Sequence, residues 1–137
     1  EEELNRIIIT VKSKLENIED PREKLIIFCD NHLTMIESDR ALAEVIQVEL
    51  RQSNKFMREY KNKHFLAYLN IIADIIASGQ EKGIFRPDIK PEICSRMIFG
   101  ALDELSTYLV TARRKRFDVH EVAAMVGNTY IDGLLKK

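Results

Sequence analysis

Ser78-Gly79-Gln80-Glu81-Lys82-Gly83-Ile84-Phe85-Arg86-Pro87-Asp88, followed shortly by Met97-Ile98-Phe99-Gly100-Ala101-Leu102-Asp103-Glu104-Leu105, is where the chain declares its architecture. Gly83 suits the left-handed residue that stops a helix, and Pro87 and Pro91 bracket a short connector that cannot be helical before Pro91. Upstream, Phe56 to Lys82 contains no breaker except Gly79 and reads as one helix of about 27 residues, roughly 40 Å long. Downstream, Pro91 opens a fifth helix to about Lys115, and Asp118 caps a sixth to about Leu135.

The first half of the chain has the same period. Leu4, Ile7, Ile8, Val11, Leu15 and Ile18 form one stripe of a helix over about residues 2–17. Asp20-Pro21 is an N-cap followed by proline at the first helical position, and the second helix carries Leu25, Ile26, Cys29, Leu33 and Ile36 inward to about Glu37. Ser38-Asp39 caps a third, with Ala41, Leu42, Val45, Ile46, Val48 and Leu50, to about Gln52. No strand alternation, hairpin dipeptide or internal repeat occurs. The fold class is all-α, a bundle of about six helices in a single domain over residues 1–137.

A chain of 137 residues can bury roughly two-thirds of its unfolded surface and needs no staple. No segment approaches the roughly 20 apolar residues of a membrane span, and no secretory signal is visible, so the expected location is the cytoplasm. Cys29 and Cys94 read as reduced, buried thiols. The sequence opens on Glu1-Glu2-Glu3 without an initiator Met. Three acids suit a helix N-terminus, and truncation of a longer protein is the other reading.

Catalytic signatures are lacking. No metalloprotease, Cys-x-x-Cys, phosphate-loop or nucleophile-elbow motif is present, and His32, His64 and His120 fall on three different helices without a ligand set. The expectation is no enzyme, no metal and no cofactor.

The fifth and sixth helices carry apolar residues on more than one face. Leu105, Tyr108, Leu109 and Ala112, with Ala124, Gly127 and Ile131, are the candidates for a four-helix interface with a second copy, the alternative being a thicker monomeric core. Glu49, Asp74 and Asp103 interrupt apolar stripes and need partners, either an interhelical polar network or an effector pocket. Phe28, Phe56, Met57, Tyr60, Phe65, Tyr68, Leu69, Ile72, Met97 and Phe99 make an aromatic and aliphatic set that is either plain core or a lining suited to a long hydrocarbon chain.

Charge is uneven. Residues 1–50 hold 12 acids and 6 bases, a net of −6, whereas residues 51–64 hold 5 bases and 1 acid, a net of +4. Arg51, Lys55, Arg58, Lys61, Lys63 and His64 are therefore either a solvated face or an anion site at the start of the long helix, where backbone N–H groups also favour anions.

With these residues in view, the Gly83 to Asp88 turn and the small residues of the next helix resemble the ligand-binding and dimerisation domain of TetR-type transcriptional repressors. Glu49-Leu50-Arg51-Gln52-Ser53-Asn54, Tyr68-Leu69-Asn70-Ile71 and the Met97 to Glu104 run are similar to the acyl-CoA-responsive fatty-acid-degradation repressors of bacilli. The resemblance implies a homodimer built on the last two helices and long-chain fatty acyl-CoA as effector. The acyl chain would meet the aromatic lining, and Glu49, Arg51, Gln52, Lys55, Arg58, Lys61, Asn70 and Arg96 would meet the polar part of the ligand. It also implies operator release, derepressing lipid-degradation genes, through a helix-turn-helix domain that has no counterpart here. Arg113 to Arg116 is no substitute, since cations at a helix end complement its dipole. A multidrug-type regulator using Glu49, Asp74 and Asp103 against cationic compounds, and a ligand-free helical dimer module, are the alternatives.

Overall fold

Local chemistry sets the start of two of the helices. Asp20 accepts a hydrogen bond from the Arg22 backbone N–H at 3.0 Å with Pro21 at the first position, and Asp118 does the same for His120 at 3.0 Å. Both caps satisfy N–H groups that have no partner inside their own helix. The computed structural model describes residues 2–39, 63–111 and 117–137, which form α1 (Glu2–Leu15), α2 (Pro21–Ser38), α3 (Lys63–Glu81), α4 (Pro91–Thr111) and α5 (Val119–Leu134). The helix expected over about 38–52, the first turns expected from Phe56, and the end expected near Lys115 lie outside the described residues. Beyond one isolated antiparallel bridge between Phe85 and Leu135, no strand forms among them.

α2 is the hub. It packs most extensively on α5 and also touches α1, α3 and α4, which is why its apolar residues spread beyond one stripe. Leu25, Phe28, Cys29, His32, Leu33 and Ile36 are buried, with Ile26 and Ile27 partly so. Close approach to α5 depends on Gly127, where an added Cβ would come within 2.9 Å of Ile26 Cγ1 and 3.2 Å of Ile26 Cα. α1 presents Leu4, Ile7, Ile8, Val11 and Leu15 to the same core, matching the expected stripe.

The α3–α4 connector locks one end of the bundle. Gly83 takes φ 73°, the left-handed stop expected of it. The chain then folds back, with the N–H groups of Ile84 and Phe85 donating to Gly79 O at 2.9 and 3.0 Å. Phe85 is fully buried and lies against Gly79, where a Cβ would overlap its ring. Arg86 N–H donates to Leu134 O at 2.7 Å, and Lys136 N–H to Ile84 O at 2.9 Å, tying the connector to the end of α5. The Gln80 amide donates to Arg86 O at 3.1 Å and to Ile89 O at 2.6 Å.

Two expectations about α5 are corrected. Gly127 and Ile131, expected at an interface with a second copy, are buried in the chain's own core, Gly127 against Ile26. The two lie four residues apart and so share the face that α2 covers. Asp74 is corrected as well. It is exposed, because it sits about 200° around α3 from Ile72 and Ile76, both buried.

Candidate functional site

Three helices bring five rings together. Phe28 and His32 stand one turn apart on α2, Phe65 and Tyr68 nearly one turn apart on α3, and Phe99 projects from α4. Ring centroids are 5.2 Å apart for Phe28–Tyr68, 5.1 Å for Phe65–Phe99 and 5.8 Å for His32–Tyr68. Phe99 receives His32 at 5.9 Å and Tyr68 at 6.3 Å, both edge-on, the arrangement that the ring quadrupole favours. Leu69 and Ile72 are buried on the same side of α3.

Within this apolar group, His32 Nδ1 and the Tyr68 hydroxyl are hydrogen-bonded at 2.6 Å. The other buried polar side chains described, Ser95 and Ser106, return their hydroxyl protons to carbonyls of their own helix, Glu92 O at 3.1 Å and Leu102 O at 2.7 Å. The His32–Tyr68 pair is thus a polar contact made between helices. Burial lowers the His32 pKa to about 4 and raises that of Tyr68, so both are neutral near pH 7. Burial also pushes the Cys29 thiol up to about 12, which leaves it an unreactive core residue.

Residues 1–133 match the family described as YsiA-like protein, C-terminal region. The chain belongs to this family of TetR C-terminal domains. The fatty acid metabolism regulator protein of Bacillus subtilis strain 168 is 29% identical over 136 residues, which is 99% of this chain and 70% of that protein. The fatty acid degradation regulator FadR from Bacillus halodurans superposes with a TM-score of 0.83 at 32% identity, covering 97% of this chain and 71% of that one. FadR from Bacillus subtilis, solved in complex with stearoyl-CoA, gives 0.84 at 28% identity with the same coverage. The fold is therefore that of the TetR-type C-terminal domain.

Against this YsiA-like frame, the expected acyl-chain residues divide. Phe28, Phe65, Tyr68, Leu69, Ile72 and Phe99 converge. Met97 does not: it is 56% exposed, two residues and about 200° from Phe99 around α4. Phe56 and Tyr60 lie outside the described residues. Of the expected polar group, Asn70 is exposed on the outer face of α3, and Arg96 is exposed with its guanidinium donating to Glu92 O in its own turn. Glu49, Arg51, Gln52, Lys55, Arg58 and Lys61 lie outside the described residues, while Lys63 and His64 open the described part of α3, about one and a half turns before Tyr68.

Among the expected dimerisation residues, Leu105 and Leu109 pack partly on the core, Ala124 is half-buried, and Ala112 lies outside the described residues. Tyr108 is exposed, with its ring 6.3 Å from Phe117. Asp103 is half-buried.

Two features went unread in the sequence. His32 follows Phe28 by four residues in the stripe Leu25, Phe28, Cys29, His32, Leu33, Ile36, and that periodicity was the available signal for a buried imidazole. The second is a groove of about 490 Å³ between α1 and α2, bordered by Arg6, Lys14, Asn31 and Met35. No spacing within one helix could show it. Its threonines and Ser38 donate to carbonyls of their own helices, and Lys14 Nζ donates to Asn31 Oδ1 at 2.6 Å. Those bonds explain its polar rim without a ligand. Among the described residues, no group of three His, Cys, Asp or Glu side chains could hold a metal ion, and no helix is long and apolar enough to cross a membrane.

Proposed function

We propose that this chain is the effector-binding and dimerisation domain of a cytoplasmic transcriptional repressor, and that its effector is long-chain fatty acyl-CoA. The observation that carries the reading is the convergence of Phe28, Phe65, Tyr68, Leu69, Ile72 and Phe99 from three helices on one apolar site, with Lys63 and His64 at the adjoining end of α3. Similarity to the regulator that binds stearoyl-CoA supports the choice of ligand. An acyl chain lies among the rings, and the phosphates of coenzyme A lie on the basic run from Arg51 to His64. A hydrocarbon is matched by the lining, and the anionic head by the concentration of cations in the sequence from Arg51 to Lys63.

Release of operator DNA follows from linkage. The ligand shifts the repressor only by as much as it prefers the conformation unable to bind DNA. Chain insertion separates α2, α3 and α4, and because Phe85 and its hydrogen bonds hold the other end of α3, displacement concentrates toward Lys63. In a homodimer this alters the spacing of two helix-turn-helix domains carried by the longer protein. Exposed Ile93, Met97 and Tyr108 on α4 and Met125 on α5 support a surface for a second copy. A cation sensor with buried acidic counter-charges is less well supported, since Asp74 faces solvent.

Calorimetric titration with acyl-CoAs of increasing chain length, free coenzyme A and the matching fatty acids tests this reading. Saturable binding, one per protomer, that requires both chain and nucleotide is expected. Reversing the charge of Arg51 and Arg58 should weaken acyl-CoA by at least tenfold while leaving the free fatty acid within about twofold. Equal loss for both ligands would remove the basic run from the site, and no binding by a ligand-free preparation would remove acyl-CoA.

A further inference from the structure

Among the buried polar side chains described, His32 and Tyr68 pair across two helices, whereas Ser95 and Ser106 bond within their own. Tyr68 is also the ring on which the aromatic group closes. Its centroid stands 5.2 Å from that of Phe28, 5.8 Å from His32 and 6.3 Å from Phe99, and all four side chains are buried. A hydrocarbon chain inserted between α2 and α3 would touch carbons on both sides at about 3.5–4 Å, so facing atoms of the two helices would stand about 7–8 Å apart. The 2.6 Å bond between His32 Nδ1 and the Tyr68 hydroxyl cannot span that gap. Ring contacts fade gradually as two helices separate, but a hydrogen bond is lost within about 1 Å. The pair therefore gives the α2–α3 contact a defined closed state.

Position along α3 matters as well. Phe85 and the hydrogen bonds to Gly79 O pin α3 at Gly79, and Tyr68 lies about 16 Å from there along the helix, toward Lys63. The bond thus restrains α3 at the end where displacement is greatest. We infer that the His32–Tyr68 hydrogen bond is a latch that holds the aromatic site shut in the ligand-free domain, so that the effector enters only by breaking it. The inference rests on the acyl-CoA reading above and assigns the regulation of that site: a contact present only in the closed state sets how much effector is needed. The apparent dissociation constant is the intrinsic one divided by the fraction of molecules whose site is open. Burial keeps both partners neutral, and a neutral hydrogen bond lowers that fraction by about fivefold to tenfold.

Tyr68→Phe keeps the ring and removes the bond. Measured by calorimetry on the whole chain, its affinity for stearoyl-CoA is expected to rise about fivefold to tenfold while its Tm falls, because the latch stabilises the ligand-free protein alone. A side chain that touches the ligand, or one that acts only in packing, would lose affinity together with stability, so the opposite signs identify the latch. The double variant His32→Leu/Tyr68→Phe removes both polar groups of the pair and serves where Tyr68→Phe unfolds; its affinity should rise by the same factor. Hydrogen exchange of the ligand-free variants gives a second reading. Amides over residues 65–72 should exchange about fivefold faster relative to those over 76–81 than they do in wild type, a ratio that a general loss of stability leaves unchanged. Unchanged or weakened affinity in a folded variant, or an unaltered exchange ratio, overturns the latch while leaving acyl-CoA binding intact. Binding of stearoyl-CoA by neither wild type nor variant overturns the acyl-CoA reading, and the latch falls with it.

Discussion

Alanine at Gly79 should destabilise the wild-type domain and stabilise one that lacks the Phe85 ring. Gly79 lies inside α3 with Phe85 folded onto it, and an ideal Cβ there would overlap the Phe85 ring carbons. In an unobstructed helix interior, Gly→Ala gains about 0.5–1 kcal/mol from reduced backbone entropy. Here the ring is fully buried and the chain behind it is pinned by the Arg86–Leu134 and Lys136–Ile84 hydrogen bonds, so relief requires shifting the whole connector. Overpacking of this kind costs about 1–3 kcal/mol. Gly79→Ala alone is therefore expected to lose about 1–2 kcal/mol net. Phe85→Ala alone should cost about 3–5 kcal/mol as a fully buried aromatic deletion. In the Phe85→Ala background the overlap is gone and the new methyl partly fills the void, so Gly79→Ala should gain about 1 kcal/mol, a coupling of roughly 2–3 kcal/mol between the sites. Urea unfolding followed by helical circular dichroism on the four proteins measures the cycle. Additivity, or a Gly79→Ala variant as stable as wild type, would refute the claim that Phe85 and Gly79 lock this end of the bundle.

Two histidines should give opposite pH signatures. The folded pKa of His32, about 4, lies below its unfolded value of about 6.5. The unfolded state thus takes up the proton first, and stability present above pH 6.5 is lost as pH falls toward 4, by about 3 kcal/mol from this group. His32→Leu should flatten that acid limb in urea titrations. His120, exposed and bonded to Asp30 at 2.6 Å, has a raised pKa, chiefly through that hydrogen bond. Its contribution is complete below about pH 6.5 and is lost as pH rises through the folded value, so the small Tm difference between wild type and Asp30→Asn should vanish in alkaline buffer. For the proposed assembly with a second copy, Met97→Glu should yield a folded monomer by sedimentation, whereas Gly127→Val should lower Tm through its clash with Ile26 whatever the state of association.

The amino-acid sequence by itself determined the all-α class, the bounds of α1, α2 and α5, the end of α3 and the start of α4 to within about two residues, the Asp20 and Asp118 caps and the left-handed Gly83. These are local matters. A cap needs only its neighbours two or three residues on, a helical stripe repeats every 3.6 residues, and a positive φ is a property of one residue. Phe28, Phe65, Tyr68, Leu69, Ile72 and Phe99 were legible as one apolar group for the same reason, since each lies in a stripe. Which stripe residue turns inward where a helix is apolar on several sides was not legible. Met97 and Phe99 are both apolar, and only the placement of α4 against α2 and α3 buries one and exposes the other. Gly127 and Ile131 suited an interface with a second copy as well as one with α2, and the Gly127–Ile26 approach resolved that choice in favour of the chain's own core. The same holds for His32 and Tyr68, separated by 36 residues and joined by one hydrogen bond. No periodicity within a single helix records which atoms meet across two of them, because that depends on packing distance and rotation, which the tertiary structure alone decides.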